Sequence, residues 1–247
     1  MGHPMAENLH QYLMNTSEPP LIYNNRTMSV GGTLKSRGAI PATEFIDLVK
    51  RCDILFTMIF VDCSTVYPDT TEKLSSHLAK QEAVLLSAPV FGGPAVASTG
   101  NLNASSASLL KIGGNIITLS LMEAVGEAQV FAEKTRLSTA AMGELITESF
   151  GAIAGGYSKR LTSGIYAPPL DTRPEFGVSL AIKDSKHALS MAEEYKFKLP
   201  GLELASKHMN AARVYGGECQ DASAIYGILR QHAGLSFWNE NSRQDGK

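Results

Sequence analysis

The sequence is short of every feature that would mark a specialised class of protein. Its 247 residues carry a formal net charge of -2, from 22 basic and 24 acidic side chains, and no basic run is concentrated enough to follow a nucleic-acid backbone. A nucleic-acid partner is therefore not expected. Cysteine is scarce: Cys52, Cys63 and Cys219 are widely spaced and odd in number, which argues against a disulfide framework or a zinc site and fits a reducing compartment. There is no internal repeat and no low-complexity tract. No apolar run reads as long enough to span a membrane, and the opening MGHPMAENL has neither the basic start nor the apolar block of an export signal. The expectation is a cytoplasmic protein without a membrane partner, acting on a small molecule and able to pair with a second copy of itself.

What is present is an ordinary globular composition, 44% apolar and 19% charged, with material for one large or two small domains. One stretch stands apart. Ala104 to Thr135 reads as a helix buried on most of its circumference, and between Glu82 and Glu123 the only charged residue is Lys111. An ammonium group in such a run costs free energy unless it has a partner or a task. Asn115 follows four positions later, on the same helical face one turn along, so the two can hold one small polar ligand between them. Gly113 and Gly114 weaken the helix, which is tolerable where another backbone or a ligand passes close by. The plainer alternative is that Lys111 merely snorkels out of an amphipathic helix.

Taken in order, the first half alternates helix and strand. Helices are expected at Pro4 to Met14, Pro41 to Arg51 and Pro68 to Gln81; strands within PPLIYNNRT (Pro19 to Thr27), across CDILFTMIFVDCST (Cys52 to Thr65) and in AVLLSAPVF (Ala83 to Phe91), which runs into the small-residue loop GGPAVASTG. That alternation predicts a parallel α/β sheet. After Ala104 nothing reads as a strand, and helices are expected near Ala140 to Phe150, Gly177 to Tyr195, Leu202 to Tyr215 and Ser223 to His232. An α/β half followed by an all-helical half is the predicted architecture.

Five segments then build a resemblance. MGHPMAENL resembles the tail of the dinucleotide-binding fingerprint GLGxMGxPMAxNL of the β-hydroxyacid dehydrogenases, the family of 3-hydroxyisobutyrate dehydrogenase and relatives of 6-phosphogluconate dehydrogenase. FVDCSTVYPDT looks like the family's DxSTVxP segment, APVFGGPA like its APVSGGPxxA loop, SLLKIGGN like its KxxxN motif, and FGVSLAIKDSKHAL like its FxxxLxxKDLxLAL helix. The order is right and nearly the whole chain is covered.

The resemblance implies an incomplete Rossmann-type nucleotide-binding domain over residues 1–102 and a helical domain over residues 103–247 that pairs with a second copy. It implies an NAD(P)-dependent oxidoreductase acting on a small β-hydroxyacid or the matching semialdehyde. Lys111 matches the acid/base lysine and Asn115 the amide that orients the substrate hydroxyl or carboxylate; Ser64, Thr65, Gly92 and Gly93 match the groups around that carboxylate. Gly2, Pro4 and Met5 match the fingerprint, while Lys183 and Asp184 match a pair near the cofactor. After the second strand of a Rossmann unit an acid binds the ribose of NAD, whereas an Arg accommodates the extra phosphate of NADP. Here Asn25, Arg26 and Thr27 stand at that place with no acid, so NADP is favoured over NAD.

Four departures accompany the match. The family's first strand and first two fingerprint glycines have no counterpart; FTMIFVDCST looks like two strands joined directly; TGNLNASSASLLKI reaches the catalytic helix without the closing strands; and Phe91 replaces the usual Ser. Two rival readings stay open: a Schiff-base lysine at Lys111, and a catalytically inactive relic that binds nucleotide and dimerises.

Overall fold

The structure, a computed structural model, describes residues 2–51, 59–62, 64–81, 83–91, 103–104 and 108–244. It divides into two compact units, residues 1–111 and 112–247.

In the first unit, α1 (Gly2–Asn15) precedes β1 (Ile22–Tyr23), a 3-10 turn (Met28–Gly31), α2 (Gly32–Ser36) and β2 (Ile40–Pro41), and the two strands pair in parallel with Ile22 opposite Ile40. The expected helix from Pro41 begins only with α3 (Phe45–Arg51). Pro41 belongs to β2 instead, and the reason is its missing N–H. The ladder to β1 uses the N–H of Ile40 to Leu21 and of Ala42 to Tyr23, so the position between them faces away and needs no donor. Gly31 is required by a close approach, because a Cβ there would lie 2.3 Å from the Tyr23 ring, whose hydroxyl donates to the Gly31 carbonyl.

A second parallel pair joins β3 (Ile59–Asp62) and β4 (Val84–Ser87) through α4 (Pro68–Ala79), which opens on proline at its first turn. The single strand expected over Ala83 to Phe91 is two, since β5 (Val90–Phe91) leaves β4 to pair antiparallel with β6 (Asn103–Ala104). Among the described residues the strands pair only in twos. This is an incomplete Rossmann-type arrangement.

The second unit is helical: α5 (Ser108–Thr135), which begins in the first unit, α6 (Thr139–Thr162), α7 (Val178–Glu194), α8 (Pro200–Gly216) and, after a 3-10 turn (Ala222–Ala224), α9 (Ile225–His232). On α5 the buried positions Ile112, Leu119, Met122 and Val130 recur at helical spacing and meet Leu161, Ile182, Met209, Ile225 and Phe237 in one core. By length and composition α5 could cross a membrane, contrary to the expectation that no apolar run would. Part of its apolar content serves this core. The helix expected to stop at Phe150 resumes to Thr162 after a break at Gly151, whose φ of 85° only glycine adopts readily. The two arms then pack so closely that a Cβ on Gly155 would touch Thr147.

Arg160 and the fully buried Asp221 tie this unit together. The guanidinium donates to both carboxylate oxygens, at 3.0 and 2.5 Å, and the same carboxylate accepts from the N–H groups of Phe176 and Ser223.

Candidate active site

Lys111 lies half-buried in the first turn of α5, and Asn115 one turn later is buried, with 4% of its surface exposed. Asn115 reaches α7: its Nδ2 donates to Asp184 Oδ2 at 2.8 Å, and Asp184 is itself 5% exposed. Lys183, the preceding residue on α7, places Nζ 2.9 Å from the other oxygen, Oδ1. That contact is an ion pair rather than a directed hydrogen bond, so Oδ1 has no hydrogen-bond donor among the described residues. His187, one turn further, has its pKa lowered by burial and by the Lys183 charge, with Asp184 opposing. The helical unit therefore brings Asn115, Lys183 and Asp184 into one cluster. Among the described residues a Cβ added at Gly113 would meet nothing within 4 Å, so packing against them does not explain that glycine.

In the first unit the predicted residues after β1 and β3 sit at the carboxyl ends of parallel strands, where open α/β folds bind their ligands. Asn25, Arg26 and Thr27 follow β1 and are exposed. Asn24 is committed to the carbonyls of Ala42 and Thr43, and Asn25 to that of Thr27, whereas Arg26 has no ion pair or hydrogen bond from its side chain among the described residues. Ser64 and Thr65 follow β3, with the Ser64 N–H held by the Asp62 carboxylate at 2.9 Å. Gly2, Pro4 and Met5 form the first turn of α1, which His3 Nε2 links to Thr33 Oγ1 of α2 at 2.8 Å. Gly92 and Gly93 lie outside the described residues.

Two polar clusters escape sequence reasoning. Glu123, two turns after Asn115, accepts from or shares a proton with His208 Nδ1 of α8 at 2.7 Å, both residues being buried. Burial first, and the Glu127 charge second, push the Glu123 carboxyl up to about 7, while burial and Lys207 lower His208. Glu133 meets Tyr226 and Arg230 of α9 with both oxygens. The available signal is weak: acids at Glu123, Glu127 and Glu133 in an apolar helix, with no hint of their partners.

Residues 105–229 match the sequence family described as NAD-binding of NADP-dependent 3-hydroxyisobutyrate dehydrogenase, and residues 58–108 match the NAD binding domain of 6-phosphogluconate dehydrogenase. The NADH-dependent oxidoreductase ucdB of Aspergillus ustus is 27% identical over 285 positions, covering 96% of this chain and 98% of the relative. That span exceeds this chain's length, so a few dozen positions of the relative have no counterpart here. Among solved structures, a 3-hydroxyisobutyrate dehydrogenase (ygbJ) from Salmonella typhimurium shares the fold with a TM-score of 0.77 at 16% identity, over 91% of this chain and 96% of that one. Psf3, in complex with NADP+ and 2-OPP, superposes with a TM-score of 0.74 at 18% identity, over 93% and 96% of the two chains. With more than half of its length matched by the first of these sequence families, the chain belongs to the β-hydroxyacid dehydrogenases, a family of NAD(P)-dependent oxidoreductases.

Proposed function

We propose that the chain oxidises a small β-hydroxyacid such as 3-hydroxyisobutyrate, or reduces the corresponding semialdehyde, with NADP preferred and NAD as the alternative. The observation that carries this reading is Lys111 and Asn115 one turn apart on α5, with the Asn115 amide held in a buried bond to Asp184. Oxidising an alcohol carbon requires removal of the hydroxyl proton, and Lys111 Nζ takes that proton; in reduction it returns it. Bound nicotinamide supplies the hydride acceptor or donor. Asn115 orients the reacting hydroxyl. Ser64, Thr65, Gly92 and Gly93 hold the carboxylate, the last two through backbone N–H groups. Gly2, Pro4 and Met5 border the pyrophosphate, Arg26 with Asn25 and Thr27 takes the 2′-phosphate, and Lys183 completes the cofactor side, next to Asp184 on α7. In this reading residues 1–102 form the nucleotide domain and residues 103–247 the helical domain of a cytoplasmic homodimer. Ile117, Phe131, Phe150 and Ile153, all more than half exposed on α5 and α6, supply an apolar surface that a second copy would cover.

The test is a fluorescence titration with NADPH and NADH, followed by turnover of hydroxyacids and semialdehydes. Arg26→Ala should weaken NADPH binding and spare NADH. Lys111→Ala should lower turnover by roughly 10²- to 10⁴-fold, the usual worth of general acid/base catalysis. Full turnover by Lys111→Ala would overturn the assignment. Nucleotide binding with no turnover of any hydroxyacid or semialdehyde would mean that the chain is a catalytically inactive relic, and binding of neither nucleotide would overturn the reading.

A further inference from the structure

Asn115 carries an amide that could face either way, and the sequence leaves its role divided between a substrate hydroxyl and a substrate carboxylate. The structure removes that freedom. Asp184 Oδ2 lies 2.8 Å from Asn115 Nδ2, and a carboxylate oxygen only accepts, so the NH₂ group must face α7. Both residues are at least nine-tenths buried, so bulk water does not compete for either partner. Lys183 Nζ, 2.9 Å from Oδ1, compensates the buried charge without taking over the amide's place. With one N–H spent on Asp184, the planar amide keeps its second N–H as a donor in a fixed direction.

Resting on the dehydrogenase reading above, we propose that Asp184 is a positioning residue: it fixes the Asn115 amide so that the second Nδ2 proton is presented as a donor to the oxygen of the substrate hydroxyl. The hydroxyl has a single proton, which must point at Lys111 Nζ to be taken, so a donor to its oxygen one turn from that lysine orients it for the transfer and stabilises the negative charge that develops there. The orientation of the reacting hydroxyl thus depends on a residue that acts through Asn115 rather than on the cofactor.

Asp184→Asn tests this without changing side-chain volume, because an amide at 184 can offer either a donor or an acceptor and releases the lock. The expected result is a loss of about tenfold or more in kcat, with KM for NADPH unchanged. In an Asn115→Ala background the same change should cost nothing further, since the group it positions is gone. Losses that add in the double variant, or a raised KM for NADPH at unchanged kcat, would overturn the proposal and return Asp184 to a direct cofactor role. Nuclear magnetic resonance of the Asn115 side-chain amide supplies a readout independent of turnover. Its Nδ2 protons should exchange slowly with solvent in the wild-type protein and faster in Asp184→Asn, with the backbone amides of α5 unaffected. Equal exchange in the two proteins refutes the lock. Slow wild-type exchange together with no turnover on any hydroxyacid refutes the dehydrogenase reading instead.

Discussion

Replacing Glu123 by Gln should make the protein more stable at pH 8 and leave it unchanged at pH 4. Glu123 is 5% exposed on α5, facing His208 of α8, and its second oxygen has no hydrogen-bond donor among the described residues. Burial, helped by the charge of Glu127, holds its carboxyl at about 7 against an ordinary 4.5. A carboxyl whose folded pKa is raised favours the folded state fully below the unfolded value, and that advantage is lost as pH rises through the folded one. At pH 8 the ionised side chain therefore costs the folded state roughly 3 kcal/mol relative to pH 4, less whatever the His208 N–H returns by donating to it. A glutamine keeps the shape, accepts from His208 Nδ1 and carries no charge. His208 has its own lowered pKa, which weakens the folded state on the acid side, and the His232 ring meets it edge-on at 5.1 Å, a contact common to the two proteins. Urea unfolding at pH 4, 6 and 8, followed by circular dichroism, should give a stability difference near zero at pH 4 that grows to about 2–3 kcal/mol in favour of Glu123→Gln at pH 8. A difference that does not vary with pH would show that Glu123 ionises as an exposed carboxyl does, and the argument from burial would fall.

Arg160→Ala should destabilise the helical unit by about 3–5 kcal/mol in the same assay, because it strands the fully buried Asp221 carboxylate without its cation. A loss under about 1 kcal/mol would mean that the N–H groups of Phe176 and Ser223 suffice for that charge. Gly227→Ala should cost about 1–3 kcal/mol, since the added methyl would lie 2.5 Å from the Phe237 ring inside the core; an unchanged midpoint would show that Phe237 can move aside.

The family and the chemistry lie in short segments that the chain cannot disguise. Lys111 and Asn115 belong to one helix, so their common face follows from four-residue spacing alone, and the apolar run around them is long enough to mark that helix by itself. The β1 and β3 ends carry their polar residues immediately after short apolar runs, which makes Arg26 and Ser64 legible as loop positions. Where the chain's own periodicity is interrupted, sequence reasoning stops early. Gly151 ends the predicted helix at Phe150 although the chain resumes it, and Pro41 reads as a helix start because nothing local reveals which strand lies beside it.

The sequence by itself thus determined the helix that carries Lys111 and Asn115 on one face, the strand and helix alternation, and the family. Only the tertiary structure decided that Asn115 meets Asp184, 69 positions away, that Glu123 meets His208 and that Arg160 meets Asp221. The physical reason is that period and propensity act within a few residues, whereas a buried polar group is satisfied by whichever helix packs across from it, and that choice is made by the whole core at once.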